Sequence, residues 1–247
     1  MTWATTVRVL SQLRRDPRSI ALILVVPALL LTAIYFLFEN EKLPPGVGRS
    51  FDRIGLVMLA VFPFVVMFLV TSVTMLRERT SGTLERLLTT PIHKADLVIG
   101  YALAFSVMAA AQTLVATGIA YWCFALNIKG PAWLVMLVAV LGAVLGVALG
   151  LLCSAFARTE FQAVQFMPVV VIPQLLLCGL FVARDQMNDF LQAAARFMPL
   201  SYSVEALGEL GRHAEATDLL WGDVIVLATV VLGLLVLAAL TLRRKTA

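Results

Sequence analysis

The sequence predicts an all-α polytopic membrane protein with six transmembrane helices. Hydrophobic residues make up 61% of the 247 residues and charged residues only 14%. Soluble domains carry about 45–50% and 25%, so this chain lacks the polar surface a water-soluble fold needs. The apolar residues gather in six runs long enough to cross a bilayer as helices. The runs are continuous rather than alternating, which excludes the strands of a β-barrel.

Residues 1–19 come first. Trp3, Val7, Leu10 and Leu13 recur at helical spacing, Arg8, Gln12 and Arg15 lie off that face, and Arg14 must snorkel. This predicts an amphipathic helix lying on the membrane interface. The spans follow at 20–38, 54–76, 97–126, 133–156, 164–182 and 219–242. The third is too long for an upright span, so it is expected to tilt or protrude. Pro27, Pro63, Pro168 and Pro173 fall inside spans, where each removes a backbone bond. Gly142, Gly146 and Gly150 form a small-xxx-small ridge on the fourth span, which predicts a helix-packing surface. The segment 183–218 is mostly polar but contains Phe190, Phe197 and Leu200. Two short helices broken near Pro199, dipping into the outer leaflet, fit it.

Lys and Arg set the orientation. The segments on the side of the termini carry twelve, and those on the other side carry seven. Both termini are therefore expected in the cytoplasm. The first apolar run has no small-x-small cleavage site after it, so a cleaved signal peptide is not expected. The pI near 9.2 follows from these membrane-flanking bases and does not call for nucleic acid. Cys123, Cys153 and Cys178 lie in apolar runs and read as free thiols.

The spans are poor in catalytic and coupling groups. No acid or base lies in a span interior, with Asp223 assigned to an edge, whereas ion-coupled transporters normally use intramembrane acids. GxSxG, HExxH and the GxxxxGK[ST] phosphate loop are all missing from the sequence. Uphill transport would need another chain to hydrolyse nucleotide. The neutral polar groups Thr71, Gln165 and Gln174, with the aromatic Phe64 and Phe68, mark spans two and five as a candidate cargo path. A passive channel or a membrane anchor for a complex is the alternative to a powered exporter.

The loop after span two is the most informative segment. It reads Arg77-Glu78-Arg79-Thr80-Ser81-Gly82-Thr83-Leu84-Glu85-Arg86-Leu87-Leu88-Thr89-Thr90-Pro91. Gly82 can supply a turn, Glu85 favours a helix N-terminus, and Pro91 ends the helix. Leu84, Leu87 and Leu88 share one face, a knob suited to a groove on a soluble partner. This string resembles the signature of permeases of the ABC-2 exporter family. Gly100 at the start of span three fits as well. Pro199-Leu200-Ser201-Tyr202-Ser203-Val204-Glu205-Ala206 resembles the family's Pro-x-x-Tyr-x-x-Glu-Ala segment before the last span.

The resemblance implies six helices per subunit and two permease subunits, identical or not. It implies two separate ATPase subunits that carry ATP and magnesium. Residues 77–91, with Glu78, Arg79, Gly82, Thr83, Leu84, Glu85, Arg86, Leu87, Leu88 and Pro91, would include the helix that couples to the ATPase. Pro199, Tyr202 and Glu205 would belong to a re-entrant segment. The drug-exporter branch is the most similar, with an amphipathic or hydrophobic cargo such as a drug, lipid or glycolipid. The chain would work in the bacterial cytoplasmic membrane, in contact with lipid, and would not be an enzyme by itself.

Overall fold

A computed structural model describes residues 2–41, 49–83, 94–182 and 184–241. Nine α-helices are found among them, and no strand. They are α1 (Thr2–Arg14), α2 (Pro17–Phe38), α3 (Ser50–Thr80), α4 (Lys94–Trp122), α5 (Ala132–Cys153), α6 (Glu160–Leu177), α7 (Asp189–Arg196), α8 (Pro199–Arg212) and α9 (Asp218–Leu240). A short 3-10 turn spans Arg184–Gln186. Six of the helices, α2 to α6 and α9, are long and apolar enough to cross a membrane.

Helix ends shift relative to the sequence reading. The longest helix is α3, at 31 residues, or about 46 Å at 1.5 Å per residue. It absorbs Arg77, Glu78, Arg79 and Thr80, which the sequence had assigned to the following loop. The span expected at 97–126 stops at Trp122, and that expected at 164–182 runs from Glu160 to Leu177. Local chemistry fixes several starts. Side chains of Asp16, Thr159, Asn188 and Thr217 accept bonds from N–H groups in the first turns of α2, α6, α7 and α9, satisfying donors that a helix N-terminus leaves free.

The bundle has two ends. At one, α1 lies against the starts of α2 and α4 and the end of α3, and Arg77 joins Glu160 at the start of α6 with contacts of 2.8 and 2.9 Å. At the other, the end of α2 meets the start of α3 through Tyr35 and Phe51. There the backbone N–H of Gly130 donates to the carbonyl of Leu210 in α8 (2.8 Å). Each end has its own apolar core. Val9, Ile23, Met75, Tyr101 and Phe105 belong to the first, and Phe51, Leu56, Phe124, Leu134 and Leu207 to the second.

The central contact is the parallel seam of α3 and α5. A Cβ on Gly146 would sit 2.3 Å from the Phe64 carbonyl oxygen. One on Gly150 would sit 2.7 Å from that of Phe68, and one on Gly142 would lie 2.8 Å from Ser203 Oγ. Each four-residue step on α5 thus meets a four-residue step on α3, with glycine letting the backbones touch.

The pair of short helices expected in 183–218 is present as α7 and α8, with the break at Phe197 and Met198 and Pro199 in the first turn of α8. Ser203 reaches Gly142, ten residues and therefore about 15 Å into α5. Leu200, Leu207 and Leu210 are buried, so α8 is wedged among α3, α5, α6 and α9. The sequence stripe on α1 is split between surface and core, with Leu10 and Leu13 packing around Val9. Trp3 and Val7 are exposed, while Thr5, Thr6, Val9 and Leu13 are buried.

Candidate functional site

The sequence-predicted site falls into three places. The first is the junction where α3 ends. Arg77 closes the helix by accepting the Ser81 backbone N–H (2.9 Å). Gly82 then turns the chain at φ +73°, a conformation that glycine adopts without strain. Thr83 Oγ1 lies 2.9 Å from Ser81 Oγ. Leu84, Glu85, Arg86, Leu87, Leu88 and Pro91 lie outside the described residues.

Glu78 is not on a separate short helix but in the last turn of α3, and its carboxylate is occupied. Arg8 of α1 donates to it at 2.9 Å, with Gln12 donating at 3.2 Å. Arg8 also reaches the Tyr101 hydroxyl on α4 (3.4 Å). Thr2 donates to Asp96 (2.7 Å) and Thr6 to the Gly100 carbonyl (3.2 Å). A Cβ on Gly100 would meet Thr5 Cβ at 2.7 Å. The motif glycine thus admits α1 against α4. Arg79 is different: its Nε is buried without a partner. A cavity of about 220 Å³ opens between Gln12, Asp16, Arg77, Glu78 and Ser81.

The second place is the seam. Phe64, Phe68 and Thr71 are fully buried and lie along the glycines of α5. The structure therefore unites two groups that the sequence treated separately, the packing ridge and part of the candidate path. Thr71 Oγ1 and Ser72 Oγ have no partner there.

The third place is the inner end of α8. Gln174 Oε1 accepts the Leu200 N–H (3.2 Å), one of the free donors of that helix start, while its Nε2 donates to Val170 (3.2 Å). Gln165 is not brought to it. The two glutamines are nine residues apart, which on a helix is opposite faces, and Gln165 is exposed. Tyr202 donates from its hydroxyl to the Arg196 carbonyl (2.8 Å). Its ring lies under the Arg184 guanidinium, 5.3 Å from the centroid, and Arg184 pairs with Glu205. Tyr202 and Glu205 thereby join α8 to the segment that follows α6, while Pro199 stands in the first turn of α8.

Sequence reasoning missed Arg8, Arg184, Glu209 and Asp223. Glu209 accepts from Thr217 (3.3 Å) and lies 3.2 Å from His213 Nδ1. Asp223 sits in the second turn of α9 and is buried, with Oδ2 lacking a partner. Arg8 and Arg184 pair with Glu78 and Glu205, 70 and 21 positions away, so no local motif marks them. Among the described residues no group of acids, histidines and cysteines could hold a metal ion.

The architecture has six candidate spans, a long α3 ending at a glycine turn, and a helix pair before the last span. A family profile described as ABC-2 type transporter matches residues 1–209. The chain belongs to the ABC-2 type transporter family. It is similar to the linearmycin resistance permease protein LnrN of Bacillus subtilis, 31% identical over 148 residues, 60% of this chain and 38% of that one. It is also similar to the probable multidrug ABC transporter permease YbhR of Escherichia coli, 25% identical over 166 residues, 67% of this chain and 45% of that one. Nodulation protein J of Rhizobium leguminosarum is 29% identical over 176 residues, 66% of this chain and 65% of that one. The chain thus spans under half the length of the first two relatives. ABC-2 permeases are transport subunits rather than enzymes. Six apolar helices and an ABC-2 membrane domain make this a multi-pass membrane protein.

Proposed function

We propose that this chain is the membrane subunit of an ATP-binding-cassette exporter that moves an amphipathic or hydrophobic cargo out of the cytoplasm. It would act with a second permease subunit and separate ATPase subunits that bind ATP and magnesium. One observation carries the coupling part of this reading. A single helix, α3, runs from the α8 end to Gly82, and its last turn is tied to α1 and, through Arg77, to α6. Motion applied to the segment after Gly82 would be passed to three helices at once. Arg79, whose Nε has no partner, supplies a cation for an acidic group on the ATPase. Leu84, Leu87 and Leu88 supply the apolar face and Glu85 and Arg86 its charged flanks.

ATP-driven closure of the ATPase pair would shift the permease between two arrangements. The names of LnrN and YbhR, linearmycin resistance and multidrug, support a small amphipathic cargo. The Lys and Arg bias supports a cytoplasmic α1 end in a bacterial inner membrane.

The test is co-expression with a candidate ATPase and transport in reconstituted vesicles. Glu85→Arg and Leu88→Asp should leave the permease inserted yet reduce complex formation and transport, by about tenfold or more where a contact worth 2–5 kcal/mol is lost. Glu215→Arg, at the other end, should change neither. The purified permease alone should not turn over ATP. Normal assembly and transport by both loop variants would refute the coupling role.

A further inference from the structure

The arginines at the α1 end differ in what holds them. Arg8 pairs with Glu78 at 2.9 Å and Arg77 with Glu160 at 2.8 Å. Arg14, Arg15 and Arg18 are exposed and have no acidic partner among the described residues. They stand together where α1 turns into α2. The acid between them, Asp16, is spent on the hydroxyl and backbone N–H of Ser19. The corner therefore holds three positive charges against one negative.

The span that follows fixes the depth of this corner. The apolar run of α2 extends from Ile20 to Phe38, about 28 Å at 1.5 Å per residue. The hydrocarbon layer of a bilayer is about 30 Å thick, so the whole run is taken up in crossing it. Arg18 lies just before that run, and Arg14 and Arg15 just before the start of α2. Their guanidinium groups therefore reach the headgroup layer. The side of α1 that leads to the corner is apolar and open. Trp3, Val7, Leu10 and Arg14 follow at three- and four-residue steps and share a face. Trp3 is 76% exposed and Val7 44%, and Leu10 is half-buried. Thr5 and Thr6, which pack at Gly100, lie on a different side of the helix.

We propose that this corner binds the headgroup of an anionic phospholipid. A guanidinium presents a planar fork of N–H donors that matches two oxygens of a phosphate. A zwitterionic headgroup carries its own ammonium, which offsets the phosphate charge, so a net-negative lipid is preferred. The open face at Trp3 and Val7 receives the acyl chains. Each base held at an anionic surface strengthens binding about fivefold, and three together about 100-fold. The inference depends neither on the exporter reading nor on which side of the membrane α1 occupies.

The test uses the purified full chain in maltoside micelles, with fluorescent phosphatidylglycerol as the probe. Binding should saturate and should weaken with salt. Unlabelled phosphatidylglycerol should compete at least about tenfold better than phosphatidylcholine. Glycerophosphoglycerol, the same headgroup without acyl chains, should compete far less well than the lipid. Arg14→Gln, Arg15→Gln and Arg18→Gln combined should lose about 100-fold. The matching triple lysine variant keeps the charge and should lose no more than about tenfold. Arg158→Gln changes an exposed base at the same end of the bundle and should stay within about twofold of wild type. Absent saturable binding, wild-type binding by the triple glutamine variant, equal loss in the lysine variant, or equal competition by phosphatidylcholine would overturn the proposal. Equal competition by glycerophosphoglycerol would assign the corner to a soluble phosphodiester and would overturn it as well. Intact lipid binding by the triple glutamine variant, with assembly with the ATPase lost, would give these arginines to a protein surface instead.

Discussion

At the residue scale, the acid of the Arg-Glu-Arg-Thr string acts inside the subunit. Glu78 is almost buried and holds Arg8 and Gln12 of α1, so its removal should loosen α1 rather than remove a partner contact. Bonds to a charged group contribute about 1.5–3 kcal/mol, less where one partner is partly exposed, as Arg8 is. Glu78→Ala and Arg8→Ala should each lower the thermal unfolding midpoint. The double variant should fall short of the sum by a coupling of about 1–2 kcal/mol. Full additivity in a melting series would show that the pair is not coupled. Asp16 makes a smaller, pH-dependent contribution. The Ser19 hydroxyl (2.6 Å) and backbone N–H (3.3 Å) hold its carboxyl below the ordinary range. A depressed folded-state value means that its cap is fully stabilising above the unfolded value of about 3.9. The contribution fades as pH falls through the folded value. Wild type should lose α2-start protection in hydrogen exchange below about pH 4, and Asp16→Asn should show no such step.

At the scale of elements, the α3–α5 seam decides which glycines matter. The Gly146→Ala methyl would meet the Phe64 backbone at 2.3 Å, and that of Gly150→Ala the Phe68 carbonyl at 2.7 Å. Backbone cannot step aside, so the helices must separate, at about 1–3 kcal/mol. The Gly142→Ala methyl meets only the Ser203 hydroxyl, which can rotate. Gly222→Ala and Gly233→Ala meet nothing within 4 Å and should gain up to about 1 kcal/mol of helix propensity. Melting midpoints should therefore rank Gly146→Ala lowest, then Gly150→Ala, then Gly142→Ala, with the last two glycines at or above wild type. A different order would mean that the seam does not hold the bundle. The four-residue spacing of these glycines was legible in the sequence because it is local. What they would touch was not, since Phe64 lies more than eighty positions away. The same limit explains α1. Hydrophobic spacing selected Trp3, Val7, Leu10 and Leu13, of which Trp3 and Val7 are exposed while Leu10 and Leu13 pack on the core. The face that packs is built on Thr5 and Thr6, small residues that fit beside Gly100. Break positions fared better. Pro199 marks the start of α8 because a fixed φ and a missing N–H suit a first helical turn.

At the scale of the molecule, the two ends differ in charge, and the proposed cytoplasmic placement of the α1 end rests on that difference. The α1 end carries the dense bases Arg8, Arg14, Arg15, Arg18, Arg77 and Arg79. Exposed tryptophans stand near helix termini at both ends, Trp3 at this one and Trp122, Trp133 and Trp221 at the other. Exposed tryptophans at helix ends suit the headgroup layer, and bases suit the cytoplasmic face. The chain also contains its own reporter. Cys123, just past the end of α4 at the end away from α1, is exposed, Cys178 is buried and Cys153 closes α5 at the α1 end. An impermeant maleimide added to intact cells should therefore label wild type, and Cys123→Ser should abolish most of the signal. Glu215→Cys in a cysteine-free background should restore labelling, since that position shares the Cys123 side. Thr80→Cys in the same background should stay unlabelled until the membrane is permeabilised. Protection of Cys123 and Glu215→Cys, with free reaction at Thr80→Cys in intact cells, would invert the protein. The segment after Gly82 would then face away from any cytoplasmic ATPase, so the same labelling result would remove the exporter mechanism along with the topology.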